Sequence, residues 1–391
     1  MIKKYLVITL LLSLAIADIG LLNLMGFGYR NTNFLINDDK LIELRNSNST
    51  KYSINLSNYF YKNLFKNGSG YNDIALQHAG IEIDLFNQKK FMLGIKPLFT
   101  SNFSTENSKK LQHYLPDLQI INYSKMFTVS GDISDYYIGF WSKYNTFKYG
   151  LVFYYEFGMQ TILSEVFTYP SESSINLGSR KLFEREYSSS RINFFYEHIF
   201  NLKSKGLFLL SLHQPVSLNQ KEYELLTNQN GNLLAEYNSK SSPFIDQLMF
   251  KYQYFLTSDK KLSLSLNRLN SFKVENLNFD VLKINYKDFQ GISGYDVSSI
   301  DIDFYLNKKI GSLSNNNIII GLGSNYSKIK FEDVNLDEFS IKIKLGLSTS
   351  LNSMIFNFNY GNRYNNFFVI EEERFFKISI DLALGDIYYI K

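Results

Sequence analysis

Four histidines, His78, His113, His198 and His213, are the side chains of this 391-residue chain best suited to moving protons near neutral pH. None stands in a pattern that would organise a reaction. Glu197 and His198 are adjacent on a segment that reads as a strand, so they point to opposite faces and share no local site. His213 falls close to a strand end, and His113 lies among Lys109, Lys110 and Asp117, where a solvated histidine is expected. Cysteine is absent, which excludes a thiol nucleophile, a disulfide scaffold and a cysteine-based zinc site. No residue spacing suits a metal ligand set, and no glycine loop suits a phosphate. Gly321-Leu322-Gly323 sits inside a strand pattern, where close packing or a bend is the simpler reason for glycine. The expectation is a non-enzyme with no catalytic residue, no cofactor and no metal.

The elements that carry these residues are strands. In Phe339 to Ser348, Phe339, Ile341, Ile343, Leu345 and Leu347 alternate with Ser340, Lys342, Lys344, Gly346 and Ser348. This is the period-2 pattern of a strand with one apolar and one polar face. It recurs through 376–385, 299–306, 261–266, 150–157 and 81–85, while helical stripes of comparable length are missing after the N-terminus. Aromatics make up 16% of the chain and charged residues 20%, with a formal net charge of +4. That composition excludes disorder, and so small a charge gives no reason to expect nucleic acid. No stretch supplies the roughly 20 apolar residues of a membrane-spanning helix.

Met1 to Lys4 is a short cationic start, Tyr5 to Ala17 an apolar run, and Ala15-Ile16-Ala17 the pattern read by a signal peptidase. Residues 1–17 are therefore expected to be a signal peptide. After it, short links join 81–86 to 91–96, 135–143 to 147–158, 188–200 to 206–213, 246–256 to 261–268, 299–306 to 316–323 and 339–347 to 353–360. Longer polar segments separate the pairs, at 97–134, 159–187, 214–245, 269–298, 324–338 and 361–374. With a first strand near 52–60 and a last at 375–385 the count is 14; strands at 119–130 and 277–286 would raise it to 16. Short turns at one end, long loops at the other and an even count describe an all-β, single transmembrane antiparallel β-barrel. Tyr136-Tyr137, Tyr154-Tyr155, Tyr360, Phe375-Phe376 and Tyr388-Tyr389 fall at strand ends, where interfacial aromatics belong. The competing architecture is a secreted protein of two or three β-sandwich domains, which would need linkers the chain lacks.

Three stretches carry a family resemblance. Phe358-Asn359-Tyr360-Gly361-Asn362-Arg363, the acidic Glu371 to Glu373 and the strand Phe376 to Asp386 resemble the C-terminal end of the FadL-type outer-membrane transport family. Phe91-Met92-Leu93-Gly94-Ile95-Lys96-Pro97 is similar to the family's early strand ending in proline. Phe127 to Ser134 with Tyr136 to Phe140 is similar to its Ser-Gly-rich turn and next strand. The chain lacks the family's Asn-Pro-Ala motif and its Trp-Phe ending. The resemblance implies a 14-stranded barrel over 51–391, an N-terminal hatch over 18–50 (or a periplasmic segment there), and passive movement of hydrophobic molecules. It also implies a lateral opening beside a kinked strand. Pro97 is the candidate for that kink; the plainer reading is a strand that ends at Pro97.

The expected function is passive uptake of hydrophobic or amphipathic small molecules through the outer membrane of a Gram-negative-type bacterium. The alternatives are a diffusion porin for polar solutes and a non-transporting scaffold for secretion or surface proteins, as in PorV-like relatives of the family. The expected partners are membrane lipid, the ligand and the barrel assembly machinery. Lumen-facing charges are expected at Glu82, Asp84, Asp301, Asp303, Lys342, Lys344, Lys377 and Asp381, forming a polar channel wall or a hatch-docking patch, or pairing with one another to fill the barrel. Their number argues for a wet lumen. Loop aromatics Phe167, Tyr169, Tyr223 and Tyr237 are candidates for ligand capture.

Overall fold

The computed structural model describes residues 29–30, 49–63, 70–85, 89–112, 120–171, 174–224, 232–270, 296–310, 317–331, 334–349, 353–365 and 372–387. The signal peptide and nearly all of the hatch segment lie outside these residues, as does the optional strand at 277–286. The described chain forms seventeen strands: β1 (Tyr29–Arg30), β2 (Ser49–Asn63), β3 (Gly70–Leu85), β4 (Lys89–Gln112), β5 (Ile120–Tyr144), β6 (Phe147–Ser171), β7 (Ser174–Asn201), β8 (Ser204–His213) and β9 (Ser217–Glu224). They continue as β10 (Asn232–Lys240), β11 (Phe244–Thr257), β12 (Lys260–Asn270), β13 (Asp296–Lys309), β14 (Asn317–Phe331), β15 (Val334–Ser348), β16 (Ser353–Asn365) and β17 (Glu372–Ile387).

The pairings run in a closed circuit. Each strand from β2 to β8 pairs antiparallel with the next, β8 with β11, each strand from β11 to β17 with the next, and β17 with β2. That is a ring of fourteen lanes. β9 and β10 continue the lanes of β8 and β11: β7 pairs with β8 over Arg191–Asn201 and with β9 over Lys181–Ser188, and β10 pairs with β9. Each of these two lanes breaks at a proline, in Gln214-Pro215-Val216 and Ser241-Ser242-Pro243, because proline gives the ladder no N–H.

The wall is apolar outside and polar inside. On β6, Tyr149, Leu151, Phe153, Tyr155, Phe157 and Met159 are exposed, whereas Gly150, Val152, Tyr154, Glu156 and Gln160 are buried. Ten residue steps at about 3.4 Å, tilted by about 40°, give a band close to 25 Å tall, the height of a bilayer's hydrocarbon layer. The same outward stripe continues on β12 (Leu262, Leu264, Leu266), β14 (Ile318, Ile320, Leu322) and β15 (Ile341, Ile343, Leu345). A soluble sandwich buries its apolar face, so this pattern excludes it.

The long segments expected as loops are mostly strand. β4 runs on through Pro97 to Gln112, β5 begins at Ile120, and β6 and β7 stay paired up to Ser171 and Ser174. At about 3.4 Å per residue, the 25 residues of β6 span about 85 Å, so the sheet continues far past the membrane band. Beyond that band outward Asp132, Glu186 and Ser188 are polar, while inward Ile133, Ile162 and Phe183 stay apolar, and the sequence no longer alternates as it does in lipid although the backbone pairing persists. At the opposite end the turns are tight: Tyr144 pairs with Phe147 around Asn145-Thr146, and Asn145 takes φ 50°, as the hairpin's twist requires.

Candidate functional site

Strand alternation sends one residue from each of several adjacent lanes to the same point inside the wall. Lys96 of β4, Asp135 of β5, Tyr154 and Glu156 of β6, Arg191 of β7 and His213 of β8 are all buried and inward-facing. On β11 a bulge between Ile245 and Gln247 turns Asp246 inward beside Gln247, and both are fully buried. Arg191 is the hub. Its Nε donates to Glu156 Oε1 at 2.8 Å, its Nη1 to Asp246 Oδ2 at 3.3 Å, and its Nη2 to Asp135. Its guanidinium also lies over the Tyr154 ring at 4.3 Å. Only a planar, permanently charged fork reaches three carboxylates at once, so lysine would not serve here.

The neighbours complete the cluster. Lys96 Nζ is 3.6 Å from Asp135 and lies over the other ring contact of Tyr154 at 4.7 Å. Tyr187 donates to Glu156 Oε2 at 3.0 Å, and His213 Nε2 is 2.7 Å from the same oxygen. Ser211 donates to Asp246 Oδ2 at 3.0 Å.

Ser189, His213 and Glu156 superficially form a nucleophile, base and acid, with Ser189 Oγ 3.0 Å from His213 Nδ1. The tautomer argues against that chemistry. Nδ1 also faces the Gln214 carbonyl at 2.9 Å and so donates to it. A nitrogen already carrying its proton cannot take one from Ser189, whose hydroxyl faces the Gln214 and Pro215 carbonyls. The triad is a structural strut. Among the described residues no group of three or more His, Asp or Glu side chains is arranged to hold a metal.

The wall opens next to this cluster. β3 and β4 pair only from Leu85 and Lys89 to Ala79 and Ile95. Past that row β3 follows β2 alone, and β4 follows β5. Each strand carries an irregularity there: Gln77 is skipped opposite Asn55 and Leu56, and Leu98 is skipped between Pro97 and Phe99. On the edge of β4 facing the gap, Phe99 and Thr100 pair with β1. Pro97 is thus inside a strand and beside a split ladder, not at a strand end. A cavity of about 820 Å³ lies at this level. Its lining comes from both faces of the wall: outward Leu93, Tyr136, Ile138, Phe153 and Tyr155, and inward Tyr137, Tyr154 and Arg191. Gly94 makes room for it, because a Cβ there would lie 2.6 Å from the Tyr137 hydroxyl.

The charges expected in the lumen point inward wherever their side chains are described, and they pair. Glu82 bonds Lys90 at 2.9 Å. Asp301 pairs with Lys342 and accepts from Asn325. Tyr305 donates to Asp303 at 3.3 Å, and Lys344 Nζ is 3.3 Å from the Tyr305 hydroxyl. Buried Lys377 interacts with Asp381 and Glu338, and Asp381 accepts from Asn357 at 2.9 Å. The Asp84 side chain lies outside the description. Gly323 is glycine because a Cβ would lie 2.0 Å from Asp303 Oδ1, the close packing expected there.

The capture aromatics are not on loops: Phe167 and Tyr169 belong to β6, Tyr223 to β9 and Tyr237 to β10. Among the girdle aromatics, Tyr137 and Tyr154 point inward to the cluster, whereas Tyr136, Tyr155 and Tyr360 face out. Sequence reasoning missed Arg191 and its carboxylates. Alternation around Tyr154 and Glu156 marked that face of β6 as inward, but Arg191 lies 35 to 56 residues from its three carboxylates and meets them only through register.

Neither a protein-family model nor a curated protein matches the sequence. Solved structures do. The deltaS2 mutant of the TodX monoaromatic hydrocarbon channel matches with a TM-score of 0.50 and 8% identity, over 88% of this chain and 91% of that one. A Pseudomonas aeruginosa FadL homologue matches at 0.48 and 7%, over 88% and 91%. The P. putida toluene transporter TodX matches at 0.47 and 7%, over 89% and 91%. These structural neighbours are transport channels and transporters, and what this chain shares with the first of them is the fold: a membrane-spanning antiparallel β-barrel.

Proposed function

We propose that the protein is an outer-membrane channel for passive uptake of hydrophobic or amphipathic small molecules, with release sideways through the gap between β3 and β4. The observation that carries this reading is the split ladder beyond Ala79 and Ile95, with a cavity lined from both faces of the wall. A polar solute gains nothing from an exit lined by Leu93, Ile138 and Phe153, whereas an apolar one keeps its contacts from lumen to lipid. The fold likeness to a monoaromatic hydrocarbon channel supports the same class of cargo. In this reading residues 1–17 direct export, the barrel assembly machinery inserts the chain, and 18–50 form the hatch.

The test is uptake of toluene and of a C16 fatty acid into liposomes holding the refolded protein. Ser190 lines the cavity, so Ser190→Trp fills it and should cut uptake at least ten-fold while the cold SDS gel still shows the folded band. Equal uptake by the variant, or ion conductance without accumulation of either compound, would sink the proposal and favour a porin.

A further inference from the structure

The outward wall carries a polar feature that transport does not use. On β12 the exposed run Leu262, Leu264, Leu266 is followed by Arg268. On β14 exposed Ile318, Ile320 and Leu322 lead to exposed Tyr326, Lys328 and Lys330, and on β13, between them, Ile302 and Ile300 are followed by exposed Ser298. The register sets Arg268 opposite Ser298 and Ser298 opposite Lys328. The three side chains therefore form one row at the edge of the apolar band. Arg268 and Lys328 stand two lanes apart, about 10 Å, with Lys330 about 7 Å further along β14.

None of the three cations has an ion pair or hydrogen bond among the described residues. Among the described residues, the acids set against the row by register are Asp337, across from Lys328 and already accepting from the Tyr326 hydroxyl at 2.7 Å, and Asp296, across from Lys330. The rim of β5 to β7 carries mixed charge instead: Asp132 and Glu186 point outward and are exposed, Glu165 is tied to Arg180, and Lys181 to Glu222.

We propose that Arg268, Ser298, Lys328 and Lys330 bind the phosphate-bearing headgroup of a membrane lipid whose chains lie along Leu266, Ile300 and Leu322. A guanidinium fork, a hydroxyl and two ammonium groups supply donors to phosphate oxygens. The apolar stripe below supplies the surface for the acyl chains. The inference needs the membrane-spanning fold and is independent of the transported ligand.

The experiment is native mass spectrometry of the full-length protein in uncharged detergent, titrated with diphosphoryl lipid A, with phosphatidylcholine and with inorganic phosphate. Each of Arg268→Gln, Lys328→Gln and Lys330→Gln should weaken lipid A retention about five-fold, and the triple variant about a hundred-fold. A control triple at the short-turn end, Lys203→Gln, Lys260→Gln and Lys308→Gln, removes equal charge and should change retention less than two-fold. A folded, heat-modifiable band is required of every variant. Equal loss in the control triple, equal retention of phosphatidylcholine, or displacement of lipid A by millimolar phosphate would each overturn the proposal. Dimer formation that the triple variant abolishes would assign the row to a second copy of the chain instead.

Discussion

Arg191→Met removes the one cation that serves three buried carboxylates, and the structure sets the size of the effect. Arg191, Asp135 and Glu156 are fully buried, and Asp246 nearly so. After the substitution Asp135 retains Lys96 at 3.6 Å, Glu156 retains His213 and Tyr187, and Asp246 retains the Ser211 hydroxyl, a neutral donor. Removing one partner of a buried pair costs about 3–5 kcal/mol, and a cation shared by three acids belongs at the upper end of that range. With a urea slope of about 3 kcal/mol/M, the unfolding midpoint should fall by about 1.5 M. The chain's single tryptophan makes the assay direct. Trp141 is buried in the same wall against Phe195, with ring centroids 4.6 Å apart, so its fluorescence follows the wall's integrity. A midpoint lowered by less than about 0.3 M would refute the reasoning. A second variant separates charge from packing: Asp135→Asn and Asp246→Asn, added to Arg191→Met, leave Glu156 as the one carboxylate of the three, with His213 and Lys96 as the remaining bases. They should restore at least half of the loss, and a triple variant as unstable as the single one would mean that the cost is not electrostatic.

Two further outcomes follow from the same geometry. Ile343 lies at the middle of the outward stripe of β15 and Leu347 beside the short-turn end, so Ile343→Arg should cost about 2–4 kcal/mol and Leu347→Arg about 0–1 kcal/mol, read as refolding equilibria in lipid vesicles; equal costs would contradict the placement of the band. Gly323→Ala puts a methyl on the Asp303 carboxylate and should destabilise by about 1–3 kcal/mol in urea titrations. Adding Asp303→Ser should relieve most of that, and no relief would show that Gly323 is needed for its backbone alone.

The strands were legible wherever one face meets lipid. Ile341, Ile343 and Leu345 must be apolar, Lys342 and Lys344 cannot be outside, and so β15 shows itself in the sequence. The six hairpins and the first and last strands correspond to lanes of the ring for that reason. The segments misjudged as loops lie where lipid no longer constrains the outward residues. Asp132, Glu186 and Ser188 face water on strands that are still paired, and no periodic hydrophobic signal can mark them. The cluster was hidden for a different reason. Arg191 and His213 are neighbours across β7 and β8, but Arg191 meets Asp135 across two lanes and Asp246 through a bulge, and a bulge is invisible to a two-residue period.

A split ladder inside a membrane must dispose of its unpaired backbone groups, and the chain around the gap does so. The first outward row past Ala79 and Ile95 lies level with Phe157 at the edge of the apolar band, and on the lipid side of that edge an orphaned N–H or C=O costs several kcal/mol. Pro97 brings no N–H to the edge, and Phe99 and Thr100 are paired with β1. The gap also sits in a particular sector of the barrel. Inward residues of β4 to β8 and β11 below the cluster include a packed apolar group, Met92, Trp141, Val152, Phe195, Leu209 and Met249, beside buried Lys90, Glu197, Lys251 and Gln253. Those of β12 to β17 include Ser263, Ser265, Asp301, Lys342, Lys377 and Ser379. The opening adjoins the sector that holds the apolar group. β4 at the gap is braced by Lys96, Asp135 and Arg191 to four further lanes, while β3 past Ala79 pairs with β2 alone. Any widening of the gap therefore falls on the β3 side, with the ion cluster as the fixed jamb.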